Sequence, residues 1–323
     1  MENKWKFSWD TVTESYFKYF TGMSRDSFET LFSCLKPYLH LIKYQSCISS
    51  KSYKRKVSKE NELFTTLSIC RHALHMKFAG WMLKVSASTM SRIFEAWIVF
   101  GDAAFSMVDL QPSHGLMKKV IPQIYQELGF GHITLVLDAT EFKTKQFFDL
   151  NLNTIFFSDY KQCHTVKAFV CLAPHGALTM VPDLYPGSIT DTTITQITGS
   201  VRNCLLHDGI LTDKGFAISE LAAEKGAEHN RPPMKTENQF CEGECDDNYK
   251  IACLRIHVER WIGYLRNLRL NMIRGIPNHC FESKEGATSH QRQQLIFKVI
   301  HLFIITFYLL APDAEINAST FLH

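Results

Sequence analysis

Ile133-Thr-Leu-Val-Leu-Asp138-Ala-Thr-Glu-Phe142 is the stretch on which the fold turns. The run Ile133–Leu137 is short and apolar, has no helical spacing and is bounded by turn residues, so it reads as a buried strand. Asp138 follows at once. A carboxylate there stands at the end of the sheet, where α/β folds gather their ligands. Gly209-Ile-Leu-Thr-Asp213-Lys-Gly215-Phe216 repeats the pattern, with Gly215 allowing a sharp turn. Either acid alone reads equally well as a cap or turn residue.

Between these two stretches, Thr165–Leu172 predicts a second strand closed by Pro174-His-Gly176, with Ala177–Val181 pairing back on it. Asp191–Leu205 then predicts a helix, and Ile218–Lys225 another. Gly226–Asn248 is a polar insertion ahead of one long helix from Tyr249 to about Leu268. Three meandering strands, a helix, a fourth strand and further helices define an α/β layer fold, and their order fits a ribonuclease-H-like core with a mixed sheet flanked by helices.

A third acid lies on the long helix. At 100° per residue Ile251, Leu254, Val258, Ile262 and Leu265 make one apolar stripe, and Glu259 sits at its edge beside Arg255 and Arg266. Taken alone, Glu259 reads as the partner of Arg255 in a surface pair at i, i+4, worth only a few tenths of a kcal/mol. Three acids from two strand ends and a helix change that reading. Oxygen ligands suit Mg²⁺ or Mn²⁺, and converging carboxylates repel unless a cation sits among them. Such a site supports two-metal cleavage of a phosphodiester without a nucleophilic side chain.

The first part of the chain has a helical texture. Phe20, Phe28, Leu31, Phe32, Leu35 and Leu39 predict a helix within 17–41, with Ser24 as a cap and a stop near Pro37. Glu60–Leu74 predicts a second helix, Phe78–Leu83 a short third, and Ser88–Ile98 a capped fourth. That order is the one expected of a helix-turn-helix, which would present Ser88, Thr89 and Arg92 to phosphates and base edges. A plain three-helix cluster has the same pattern. The expected domains are therefore 1–120, helical, and 121–323, the sheet domain.

Charge supports the division. Residues 1–119 hold 17 Lys and Arg against 10 Asp and Glu, whereas 120–323 hold 18 against 22. A basic first part suits a polyanion, and Lys54, Arg55 and Lys56 in the run 51–59 are candidates for phosphate contact or nuclear import, or else a solvated loop. The 10 Cys follow no regular framework and the first residues lack the apolar core of a signal peptide, so a nuclear or cytoplasmic protein is expected. Val299–Ala311 is too short to span a membrane and reads as a buried helix. Cys241 and Cys245, with His229, Cys253 and His257, lack the usual zinc spacing. The pair Lys161 and His164, with Lys167, reads either as phosphate-neutralising or as hydrated surface, and Arg255 and Arg266, flanking Glu259, are better candidates for gripping DNA phosphates. Neither a P-loop nor a G-x-S-x-G elbow occurs, which disfavours ATP-driven and serine-hydrolase mechanisms.

LDATEF at Asp138, NTIFFSDYKQCHTVK from Asn153, LYPGSITD from Leu184, LTDKGF at Asp213 and RIHVERWIGYLRN from Arg255 resemble, in order and interval, the DDE-type transposase-derived nucleases of the PIF/Harbinger superfamily. Bacterial insertion-sequence transposases are similar at a greater distance. The resemblance implies a ribonuclease-H-like nuclease whose catalytic, metal-holding acids are Asp138, Asp213 and Glu259. It also implies a helix-turn-helix in the first part, where VSASTMSRIFEAW is the best match, with DNA as substrate, a Myb-like accessory protein as partner and a homo-oligomeric state. Domesticated members that bind DNA without cutting it are the alternative.

Overall fold

The computed structural model describes residues 8–44, 57–106, 110, 112–144, 146, 150–180, 184–233 and 241–267. Lys54, Arg55, Lys56 and the apolar stretch Val299–Ala311 lie outside the described residues. The described residues fall into two compact units, 8–106 and 110–267. No helix among the described residues is long and apolar enough to cross a membrane.

The first unit is helical: α1 Glu14–Thr21, α2 Arg25–Leu35, a 3-10 turn Lys36–Leu41, α3 Lys59–His72, α4 Met76–Leu83 and α5 Ala87–Ser106. Residues 17–41 do not make the single helix expected of them. Gly22 takes a left-handed φ of 87° that ends α1, and Ser24 then caps α2 by accepting from the Ser27 amide. Ser58 caps α3 likewise. Between α4 and α5 the backbone of Val85 and Ser86 crosses Gly80 so closely that a Cβ there would meet the Val85 carbonyl at 2.8 Å. The core of the unit is aromatic, with Phe17 packed edge-on against Phe28 at 5.3 Å and Phe64 on its other side. One carboxylate is buried in it: Glu62 on α3 accepts from Trp97 Nε1 on α5 at 2.9 Å and from the Tyr44 hydroxyl, with Lys59 Nζ at 3.4 Å.

The second unit begins with two short helices, α6 His114–Lys119 and α7 Gln123–Glu127, followed by β1 Ile133–Lys143, α8 Leu150–Phe156, β2 Phe157–Ser158, β3 Cys163–Leu172 and β4 Leu184–Pro186. The remaining elements are α9 Asp191–Thr198, β5 Gly209–Leu211, α10 Ser219–Ala223, β6 Glu228–Asn230, α11 Glu242–Leu254 and α12 Ile256–Asn267. The sheet order is β2-β3-β1-β5-β6, with β4 also on β3. β3 runs antiparallel to β1, whereas β5 and β6 run parallel to it. This is the ribonuclease-H-like arrangement: a central β1, antiparallel partners on one side and parallel strands reached by helical crossovers on the other.

Several elements differ from their expected bounds. β1 runs on past Asp138 to Lys143. Residues 177–180 pair back on the end of β3 as expected, through a bridge from Leu178 to Leu172 and the Thr179 amide on the Cys171 carbonyl at 3.0 Å, but make no named strand; the third strand of the meander is β4, which pairs with β3. α9 stops at Thr198 because Gly199 turns left-handed with a φ of 60°. The long helix is two helices, broken at Arg255, whose φ of −82° and ψ of 0° leave the helical range.

Alternation along β1 sorts its side chains onto two faces. Leu135 and Leu137 join Phe169, Ile194, Phe216 and Ile218 in one core layer. Val136, Asp138 and Thr140 face the other way. That opposite face is where α12 packs, burying Val258, Trp261, Ile262 and Leu265. Each such aliphatic side chain contributes roughly 1.5–3 kcal/mol. The predicted stripe is thus the buried one. Two hydrogen bonds fix the helices lengthwise, from Trp261 Nε1 to the Gly176 carbonyl at 2.8 Å and from the Tyr125 hydroxyl to the Leu254 carbonyl at 2.7 Å.

Candidate active site

The strand register brings two acids together. Val136 pairs in parallel with Leu211, so two residues further along each chain Asp138 and Asp213 emerge at the same edge. β5 ends at Leu211, which frees the backbone at Asp213 to turn outward, whereas β1 continues on its pairing with β3 and keeps Asp138 within the sheet. The third acid arrives from the opposite layer. Glu259 lies in the first turn of α12, one turn beyond the break at Arg255.

All three carboxylates meet on the Arg255 guanidinium. Nη2 lies 2.5 Å from Asp138 Oδ2 and 3.4 Å from Glu259 Oε1, while Nη1 lies 3.1 Å from Asp213 Oδ1. Arg255 is therefore more than the i, i+4 partner of Glu259. Exposure grades across the cluster, with side-chain values of 9% for Asp138, 52% for Asp213 and 58% for Glu259. Arg266, also on α12, donates from Nη2 to Thr140 Oγ1 at 3.0 Å.

Burial sets the chemistry of Asp138. It pushes the carboxyl up to about 6, against the pull of Arg255 and of the Ala139 amide, which donates to Oδ1 at 2.7 Å; Glu259 and Asp213 push it further up. A buried acid crowded by two others is the environment that a divalent cation relieves. The donor set, all carboxylate oxygen, suits Mg²⁺ or Mn²⁺. As the side chains stand, no three His, Cys, Asp or Glu among the described residues are grouped closely enough to hold a metal ion. The guanidinium of Arg255 lies among these three carboxylates instead.

The other candidates are placed elsewhere or are otherwise engaged. Ser88, Thr89 and Arg92 lie on the first turns of α5. The Ser86 hydroxyl caps this helix through the Thr89 amide at 3.1 Å, and Arg92 Nε reaches the Ser88 carbonyl at 3.3 Å. Lys167 is held by the Ile189 carbonyl at 2.8 Å and Asp191 Oδ1 at 3.0 Å. It lines a cleft of about 390 Å³ together with Glu141, Tyr160, Asp191 and Gly215. His229 uses both ring nitrogens, on Thr212 Oγ1 at 2.8 Å and Ser219 Oγ at 2.9 Å. His257 is buried, its pKa lowered to about 4 by burial, Arg260 and His175. Cys241 and Cys245 are exposed, the first capping α11 and the second within it.

Residues 137–284 match the model of the DDE superfamily endonuclease family, a span of a little under half the chain that includes Asp138, Asp213 and Glu259. The match supports a DDE-type, transposase-like nuclease domain. No curated protein matches the chain. Among solved structures, the pre-cleavage Mos1 transpososome matches at 10% identity over 87% of this chain and 86% of that one, with a TM-score of 0.21. The mariner Mos1 paired end complex with Mg matches at 12% identity over 87% and 84%, with a TM-score of 0.20. Likenesses this loose carry no weight beside the strand order and the register.

Proposed function

We propose that the sheet unit is a divalent-metal-dependent DNA endonuclease of the DDE transposase kind, of PIF/Harbinger type, with Asp138, Asp213 and Glu259 as the metal-holding acids. The observation that supports it most is the meeting of these three carboxylates, drawn from β1, the residues after β5 and the start of α12, at one edge of the sheet. When bound, the metals would activate the attacking oxygen and stabilise the leaving oxygen of a phosphodiester. The chain supplies the rest. The Ala139 amide fixes one oxygen of Asp138, burial keeps water from its carboxylate, and Asp213 and Glu259 face the solvent from which substrate arrives. Arg266 is the candidate grip for a DNA phosphate, joined by Arg255 once it is released from the acids.

In this reading the helical unit supplies DNA affinity through Ser88, Thr89 and Arg92 on α5, with Lys54, Arg55 and Lys56 adding charge. Transposition-type strand transfer, a Myb-like accessory protein, homo-oligomerisation and action in the nucleus belong to the same proposal. One observation favours the non-catalytic alternative, a DNA-binding protein that keeps the nuclease fold: Arg255 already bridges the three acids without a metal. Cleavage of labelled terminal-repeat-like DNA separates the two. The wild type should nick it with Mg²⁺ or Mn²⁺ and not without, while Asp213→Asn should bind it equally and leave it intact. A wild type that binds but never cuts under Mn²⁺ decides for the alternative, and equal cutting by both proteins removes the acids from the mechanism.

A further inference from the structure

We propose that Arg255 is a resident counter-cation that keeps the metal seat closed, so that a divalent ion binds by displacing its guanidinium. The inference rests on the metal-site reading above and concerns what that site does before metal arrives.

The hydrogen bonds of Asp138 set the guanidinium against an incoming ion. Oδ1 is taken by the Ala139 amide at 2.7 Å and Oδ2 by Arg255 Nη2 at 2.5 Å. With the side chain 9% exposed, both oxygens of the most buried acid are engaged. Magnesium needs its oxygens at about 2.0–2.1 Å. An ion on Oδ2 would therefore share that oxygen with a cation already in contact with it. The same guanidinium also holds Asp213 Oδ1 and Glu259 Oε1, so one side chain blocks a ligand atom on each acid.

Two further features make Arg255 removable. Its Nε is buried and has no hydrogen-bond partner, so the seated guanidinium leaves one donor unsatisfied. Its backbone stands at the break between α11 and α12, where φ and ψ have already left the helical range. A side chain at such a junction swings without unwinding a helix. Removing it also lets the three carboxylates approach one another, which metal binding requires and which their repulsion opposes while no cation is present. The arrangement thus exchanges a guanidinium, which offsets one of the three negative charges, for a divalent ion that offsets more.

The test is calorimetric titration of Mn²⁺ into wild type, Arg255→Gln and Arg255→Lys, with phenylglyoxal labelling of Arg255 in the wild type read by mass spectrometry. Loss of the competing charge should tighten Mn²⁺ binding roughly tenfold or more in Arg255→Gln, with Arg255→Lys between, because an ammonium cannot span the acids as the guanidinium does. In the wild type, labelling of Arg255 should be slow without metal and severalfold faster at saturating Mg²⁺. Equal or weaker Mn²⁺ binding by Arg255→Gln, or labelling that Mg²⁺ leaves unchanged, overturns the latch and leaves the metal site standing. No Mn²⁺ binding by any of the three proteins overturns the metal reading, and the latch with it. Should Arg255→Gln fail to fold by circular dichroism, the wild-type labelling decides alone.

Discussion

Among the described residues each unit buries a carboxylate against a lysine or arginine, Glu62 in the helical unit and Asp138 in the sheet unit, and the two differ in what surrounds them. Glu62 is 2% exposed, and its donors are a lysine, a tyrosine and a tryptophan, the last of which ties α3 to α5. Asp138 is 6% exposed, and the cation it contacts is shared with two other acids. A buried charge whose partners are all donors is a structural tie. A buried charge that must share its cation with like charges spends stability on an arrangement that only a further cation relieves, which marks a site.

The largest expected effect contrasts Glu259→Gln with Glu62→Gln. The first should lower metal-dependent cleavage by roughly a thousandfold, with melting shifted little, because it removes a ligand from a half-exposed helix start. The second should leave cleavage per folded molecule intact while costing about 2 kcal/mol in urea unfolding, the loss expected of charge-assisted hydrogen bonds in a core. If Glu62→Gln abolished cleavage in a fully folded protein, the division between tie and site would be broken.

The next effect is a pH dependence. Because the folded-state pKa of Asp138 is raised to about 6, its protonated form favours folding. That contribution is fully present below the ordinary value near 3.8 and is lost as pH rises to about 6. Metal-free wild type should therefore lose roughly 2–3 kcal/mol relative to Asp138→Asn across that window. Unfolding of both proteins between pH 4 and pH 7 measures it. A difference that is flat, or that grows in favour of the wild type, would mean that Arg255 compensates Asp138 fully and the site is not strained.

The smallest effect belongs to the helical unit. Ser86→Ala removes the cap of α5 and should cost about 1 kcal/mol in thermal unfolding, with metal affinity unchanged. A change in Mn²⁺ affinity would show that the two units do not work separately.

The positions of the three acids follow local rules. An apolar strand run leads into Asp138 and into Asp213, although β1 itself continues to Lys143, and a period of 3.6 puts Glu259 beside the stripe that α12 buries. Ser24 and Ser58 announce their helices in the same way, although only Ser24 was singled out. The misses depend on contacts between distant segments. Nothing in Ile-Ala-Cys-Leu-Arg-Ile-His-Val, which has no Gly or Pro, signals the break at Arg255. That break puts Arg255 against two acids more than forty residues away in sequence, where the sequence offers only its pairing with Glu259 and a place as a phosphate grip. β4 and β6 are three residues each, too short for any periodicity, and β6 lies within a stretch read as a polar insertion. Glu62 carries no mark either, since a Glu in the first turn of a helix ordinarily faces solvent. The split at Gly22 was readable, because Gly followed two residues later by Ser is a stop and a start, and the apolar spacing on either side concealed it.

The most direct test of the central claim is to ask where on the chain a metal sits. Fe²⁺ takes the same carboxylate ligands as Mg²⁺ and Mn²⁺, and with ascorbate and peroxide it cuts the backbone beside the residues that hold it. The account predicts cuts next to Asp138, Asp213 and Glu259 in the folded wild type, suppressed by excess Mg²⁺ and lost in Asp213→Asn. Cuts confined to other positions, or a pattern that Asp213→Asn leaves unchanged, would contradict it.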